Sequence, residues 1–247
     1  MIASPRNRKG FTLIELLTVI AIIGILAAVL FPGVQGVMRS AKKNSALNKL
    51  RSIGQGYMNW AQGKTMTAAS GGSWSAGGTY AKKISEYAGN LAAGAQLDSG
   101  EIWFVDGDAL LEKNPLAQLP KSVIKTTAGT TSIDTAFTTA ITTAKATSWD
   151  CYSPTSSGIV GSVSVPLAWS RGLDKTTGKW PAGDGTAAGS VWGTEGGHIV
   201  YGDGHVSWVT STEVTGKDYF TQTDGSPTAS WLASKSVPSA AALCTQN

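Results

Sequence analysis

One carboxylate, Glu15, stands inside an otherwise uncharged run of twenty-one residues from Phe11 to Phe31. An acid in a membrane-inserted helix is costly, about 2.5–3.5 kcal/mol for Asp at the helix centre. Nearer the membrane edge the cost falls, yet the group still calls for a partner. Just upstream, Arg6, Arg8 and Lys9 precede Gly10, and residues 1–10 contain no acid. The other groups able to do chemistry lie far downstream. Asp98, Asp106 and Asp108 form the best acid cluster. An Asp-x-Asp without the later spaced ligands is not an EF-hand loop, so these three are weak calcium candidates and read first as solvated turn acids. Cys151 and Cys244 are the only cysteines and have no nearby histidine, which excludes a zinc site built on them. His198 and His205 flank a Gly-Asp-Gly turn. On a two-residue hairpin they would share a face at about 13 Å, too far apart for one metal. No Gly-x-Ser-x-Gly elbow or Ser/His/Asp ordering offers a nucleophile. No catalytic residue and no cofactor is expected, and an enzyme is the least supported class.

These groups need elements to hold them. A helix over Phe11–Phe31 spans about 31 Å at roughly 1.5 Å per residue, enough for a bilayer core. It is too long for the apolar region of an ordinary signal peptide, and Phe31-Pro32-Gly33 is a poor cleavage site. An ordinary signal anchor fits the length but leaves Glu15 unexplained. Pro32 cannot donate a backbone hydrogen bond and crowds the preceding turn, so a kink is expected there. The helix is expected to continue to about Gln62, because Ala46, Leu50, Ile53, Tyr57 and Trp60 recur on one face. Gly54 and Gly56 weaken it, which points to close packing at that turn.

Lys9-Gly10-Phe11-Thr12-Leu13-Ile14-Glu15-Leu16-Leu17 resembles the prepilin signature of type IV pilins and type II secretion pseudopilins. The resemblance implies that a prepilin peptidase cuts between Gly10 and Phe11 and N-methylates Phe11. It implies that Glu15, then the fifth mature residue, pairs with the terminal amine of a neighbouring subunit during assembly. Pro32 matches a proline often found in these helices. Losing Arg6, Arg8 and Lys9 with the leader lowers the formal net charge from +4 to +1, which gives no electrostatic reason to expect nucleic acid as a partner. If the downstream part is exported, a disulfide between Cys151 and Cys244 is expected, two buried thiols being the alternative.

Orientation is less one-sided. Arg39, Lys42, Lys43, Lys49 and Arg51 follow the apolar run, with no acid between Glu15 and Glu86, so counting cations alone gives nearly a tie. The leader resemblance and the large Cys-containing region downstream favour a cytoplasmic N-terminus and a periplasmic domain.

In that domain, Tyr80–Tyr87 reads as a short helix and Glu101–Asp108 as a strand entering an Asp-Gly turn. Ile133, Phe137, Ala140, Ile141 and Ala144 have helical spacing, with Ser132 as N-cap and Asp134 in the first turn. Gly197–Tyr201 and His205–Val209 read as a hairpin. This block is similar to the Asp-Gly-His-Val hairpin ending a group of pseudopilin-like proteins, but Gly193 stands where that group often has a histidine.

The expected architecture is α+β: a long N-terminal helix, kinked near Pro32, packed on an antiparallel sheet with extensive loops. Residues 1–10 are the leader, 11–32 the transmembrane and assembly helix, 33–62 its amphipathic continuation and 63–247 the globular domain. The expected role is a subunit of a type IV pilus or type II secretion-like pseudopilus. Its partners would be the prepilin peptidase, other pilin or pseudopilin subunits, an inner-membrane assembly platform and membrane lipid. An exported glycan-binding module is the alternative, since eight of the nine Trp lie at or beyond position 74.

Overall fold

The apolar pattern of the first helix changes along its length, and burial changes with it. In the computed structural model this helix, α1, is one element from Leu13 to Ala61. The structure describes residues 12–61, 83–154, 166–174, 177–212, 220–221, 227–228, 241–244 and 246. The chain divides into two compact units, residues 1–43 and 44–247. Among its described residues the first unit is helix, and its large apolar side chains, Leu13 through Met38, are all exposed. Its stretch Leu13–Phe31 is long and apolar enough to cross a membrane.

The second unit takes the last turns of α1, where the apolar residues narrow to one stripe. Ala46, Leu50, Ile53, Tyr57 and Trp60 are all buried, as their spacing predicts. Beside the stripe, Lys49 Nζ donates to the Phe104 carbonyl at 2.7 Å. The partner surface is a five-stranded antiparallel sheet in the order β6-β5-β4-β3-β9. Its strands are β3 (Trp149–Pro154), β4 (Pro166–Ser170), β5 (Gly197–Tyr201), β6 (Val206–Val209) and β9 (Ala241–Leu243). Cross-strand register puts Cys151, Ala168 and Val200 on one face, and Trp169 and Ile199 on the other. The first face joins the main core with α1 and with α2 (Ile84–Ala95). The second has its own core of Trp169, Leu173, Trp180, Ile199, Tyr201 and Val209. The result is an α+β arrangement.

Three local expectations are corrected. The helix predicted over Tyr80–Tyr87 is α2, starting at Ile84; residues 80–82 lie outside the described ones. Its true stripe, Ile84, Tyr87, Ala88, Leu91 and Ala92, is buried despite Gly89 and Gly94 within the helix. Glu101–Asp108 is not a strand. Gly100–Trp103 is a 3₁₀ turn, Asp106-Gly107 turns with Gly107 at φ 91°, and α3 (Ala109–Lys113) follows. The predicted Asp-Gly turn is present, but the apolar residues before it, Trp103, Phe104 and Val105, are buried without a ladder. Ser132 is not a helix cap. It lies in β2 (Thr130–Ile133), paired with Lys125 of β1 (Ile124–Thr127). These strands meet at Ala128 and Gly129, both at positive φ, the geometry of a two-residue hairpin turn. Asp134 is the N-cap of α4 (Thr135–Ala144), accepting from Ala136 N at 2.8 Å. The predicted stripe Phe137, Ala140, Ile141 and Ala144 is buried. Two further short strands, β7 (Phe220–Thr221) and β8 (Pro227–Thr228), pair only with each other among the described residues.

Gly54 marks the close approach of helix and sheet. A Cβ there would run into Val200 Cγ2, and one at Gly56 would meet Leu97 Cδ2 at 2.7 Å. Gly54→Ala would gain about 1 kcal/mol of helix propensity but overpack the core by about 1–3 kcal/mol. A net loss near 1 kcal/mol is expected, read as a lower urea midpoint of the purified chain in detergent.

Candidate functional site

The N-terminal end of α1 is built by its own side chains. Thr12 is the residue before the first helical turn and Glu15 is three residues on, the spacing of a capping box. Glu15 Oε2 accepts from Thr12 N at 2.9 Å and from Thr12 Oγ1 at 2.7 Å. In return Glu15 N donates to Thr12 Oγ1 at 3.3 Å. Thr18 Oγ1 donates to the Glu15 carbonyl at 3.0 Å. A fixed anion therefore sits at the positive end of a helix dipole, surrounded by exposed Leu13, Ile14, Leu16 and Leu17. Such a group can hold and orient a cation. Gly10 and Phe11 lie outside the described residues, and at Pro32 the chain is helical backbone within α1.

The three downstream acids do not converge. Asp98 Oδ1 accepts from Val123 N at 2.9 Å and Ile124 N at 2.8 Å, holding the entry to β1. Asp106 is exposed in its turn. Asp108 is buried rather than solvated. Its Oδ1 takes Arg171 Nη2 at 2.7 Å and Leu110 N at 3.0 Å, and its Oδ2 takes Ser148 Oγ at 2.8 Å. Among the described residues no three His, Cys, Asp or Glu side chains form a group able to hold a metal.

The two histidines also part company. Register pairs His198 with Trp208 and Val200 with Val206, while the His205 ring stacks on Tyr201 at 4.3 Å. They therefore face opposite sides of the sheet, because the loop holds three residues, Gly202 to Gly204, rather than two. His205 Nδ1 lies 2.6 Å from Asp203 Oδ1 at the exposed tip, and His198 packs edge-on against Trp208 at 4.7 Å.

Cys151 lies in β3 and Cys244 directly follows β9, and both are buried thiols. Tyr152 pairs with Leu243, so the cysteines stand opposite each other, and Cys244 N donates to the Cys151 carbonyl at 2.9 Å. Burial pushes both thiols above their ordinary range. Beyond them Gln246 clasps the start of β3. Its Oε1 accepts from Thr147 N at 2.9 Å, and its Nε2 donates to the Trp149 carbonyl and Asp150 Oδ1, both at 3.0 Å.

Sequence reasoning missed Thr12, Arg171 and Gln246. The Thr-x-x-Glu spacing was a readable signal for the first; the other two depend on long-range pairing that no local pattern carries. The aromatic surface that would favour glycan binding is lacking among the described residues. Trp60, Trp103, Trp149, Trp169, Trp180 and Trp192 are buried, and Trp208 is half-buried.

The N-terminal segment has a counterpart among known proteins. Residues 5–31 match the family described as the prokaryotic N-terminal methylation motif. The type IV major pilin protein PilE1 of Neisseria gonorrhoeae is 33% identical over 100 residues, covering 38% of this chain and 60% of that protein. The type IV wide pilus major component PilA4 of Thermus thermophilus is 67% identical over 36 residues, 15% of this chain and 28% of the relative. The type IV major pilin protein PilA of Myxococcus xanthus is 48% identical over 50 residues, 20% of this chain and 22% of the relative. The chain thus spans less than two thirds of the length of these relatives. No solved structure matches it.

The Asp108–Arg171 pair gives a direct prediction. Both side chains are almost wholly buried, at 1% and 2% exposure, and removing one partner leaves a buried uncompensated charge. Asp108→Ala is expected to destabilise the domain by about 3–5 kcal/mol, measured by urea unfolding. Added calcium is expected to leave the wild-type midpoint unchanged.

Proposed function

We propose that this type IV pilin-like chain is a structural subunit of an extracellular or periplasmic fibre, inserted first in the inner membrane and then assembled through α1. The observation that carries this reading is Glu15, a fixed carboxylate at the head of a helix whose apolar side chains are exposed all round. Prepilin peptidase cuts between Gly10 and Phe11 and methylates Phe11. The new terminal amine is a cation in an apolar setting, and Glu15 of an adjacent copy is the matching anion. The helices then bury one another's apolar surface in the fibre core, where a bend at Pro32 adjusts their packing.

The role is structural, not catalytic. The relatives named above are components of type IV pili, so a pilus is the first reading and a type II secretion-like pseudopilus the second. On either reading the leader lies in the cytoplasm, the domain in the periplasm, and an inner-membrane platform lifts the processed subunit into a homo- or heteropolymer. Replacing Gly10 by Val is expected to leave an uncut precursor absent from sheared fibres. Glu15→Ala is expected to be cut and methylated normally but to lower fibre yield by at least tenfold. Fibres of normal yield from the uncut precursor would sink the processing route; normal yield with Glu15→Ala would sink the pairing.

In an oxidising compartment Cys151 and Cys244 form a disulfide, the two thiols giving up two protons and two electrons to a thiol oxidant of that compartment. Opposed residues of antiparallel strands lie about 4.5–5.5 Å apart at Cα, within the range a disulfide spans. Protein from assembled fibres, unfolded without reductant, is expected to take up no thiol-alkylating reagent. Two alkylated cysteines by mass would refute the bond.

A further inference from the structure

We propose that Arg39, Lys42 and Lys43 hold the headgroups of anionic phospholipids at the end of the span remote from Leu13. This rests on the reading of α1 as membrane-inserted before assembly and names the lipid chemistry which that stage meets. Arg39 is exposed, and Lys42 and Lys43 are half-buried. They are three and four residues from Arg39, so the three share one helix face. α1 carries five cations from Arg39 to Arg51, and its only acid is Glu15. A solvated helix face ordinarily mixes signs, with acids placed to pair with cations one turn away. Here the next acid in the chain after Glu15 is Glu86, so α1 itself supplies no counter-charge at this level.

Level and direction decide the partner. From Leu13 to Arg39 a helix rises about 39 Å at roughly 1.5 Å per residue. A bilayer measures about 30 Å across its hydrocarbon and about 40–45 Å with its headgroups. With Leu13 at one hydrocarbon edge, the far headgroup layer lies at about 30–37 Å, and a tilt of about 20° brings Arg39 to its surface. Helix side chains lean toward the N-terminus, here back toward the membrane. The long stems of Lys42 and Lys43 therefore let their charged heads meet the same layer. Arg39 and Lys43 also stand seven residues before Ala46 and Leu50 of the buried stripe. The line of positions that is apolar where it meets protein is thus cationic where the span ends. Topology gives no reason for this, because on the orientation proposed above these cations oppose export of the domain. An anionic headgroup surface gives one, each cation beside it strengthening attachment by about fivefold.

The test uses the full chain with its leader cations neutralised (Arg6→Gln, Arg8→Gln, Lys9→Gln), so that the leader cannot hold lipid itself. It would be reconstituted with equal phosphatidylglycerol and phosphatidylcholine, then partly delipidated in detergent, and the retained lipid quantified by mass spectrometry. We expect phosphatidylglycerol to be retained at least fivefold over phosphatidylcholine at low salt, and the preference to fall as salt rises. Adding Arg39→Gln, Lys42→Gln and Lys43→Gln together is expected to abolish most of it, since glutamine keeps helix propensity and removes the charge. Adding instead Lys121→Gln, Lys125→Gln and Lys145→Gln, at exposed positions of the second unit, is expected to leave it unchanged. A preference that survives loss of the three α1 cations overturns the contact. So does a preference lost equally with the three domain lysines. If the α1 variant keeps the preference but no longer enters fibres in the native host, the cations serve the acids of a second copy and the lipid contact is wrong. Resistance to carbonate extraction, read on the same vesicles, separates this proposal from the reading beneath it. A chain that carbonate strips away sinks the membrane-inserted subunit; one that resists and shows no preference sinks only the lipid contact.

Discussion

One helix must satisfy two different surroundings, and its residues change to suit each. From Leu13 to Met38 the large side chains point outward in every direction, which suits hydrocarbon or other apolar helices on all sides. From Ala46 onward the apolar residues retreat to a single stripe, and that stripe is wholly buried. The same element, α1, carries both patterns, and Pro32 within it has no backbone N–H to donate. Everything in the second unit is arranged around that stripe. The sheet approaches closely enough that Gly54 has no room for a side chain, and α2 closes its flank through Trp60 over Gly94.

Legibility followed the range of the interaction. The α1 stripe and the β5–β6 hairpin were readable because period and turn chemistry are local. The strand expected at Glu101–Asp108 failed for the opposite reason. A short apolar run looks alike whether it is buried in a ladder or in a 3₁₀ turn. Here Trp149 Nε1 bonding the Ile102 carbonyl at 2.7 Å and Ser148 N bonding the Trp103 carbonyl at 2.9 Å hold it in the turn. The Ser132 cap was displaced because β1–β2 forms through an Ala-Gly turn, a weaker signal than Asn-Gly. His198 and His205 were assigned to one face by counting a two-residue loop, and one further residue reverses that relation.

The candidate site was half legible. Glu15 stood out because a charge in an apolar run is expensive, and a cost visible in sequence asks for a reason. Thr12 did not stand out, because threonine is unremarkable beside a helix until its hydroxyl is seen on the carboxylate. In the domain the hidden element is the Asp108–Arg171 pair. It joins α3 to the end of β4 across sixty-three residues, and neither partner's neighbours announce it. Ser148 links the two, accepting Val105 N and donating to Asp108. Acids that look like surface ligands in sequence thus turn out to be a joint between segments.

The sheet's two cores have a consequence for time as well as for stability. All five residues of β4 and all five of β5 are buried, so this pair is shielded above and below. Solvent can reach their amides only when the whole unit opens, whereas the outer strands β6 and β9 can fray singly. Deuterium would therefore enter the domain from its margins inward, and the β4–β5 amides would report the global opening rate.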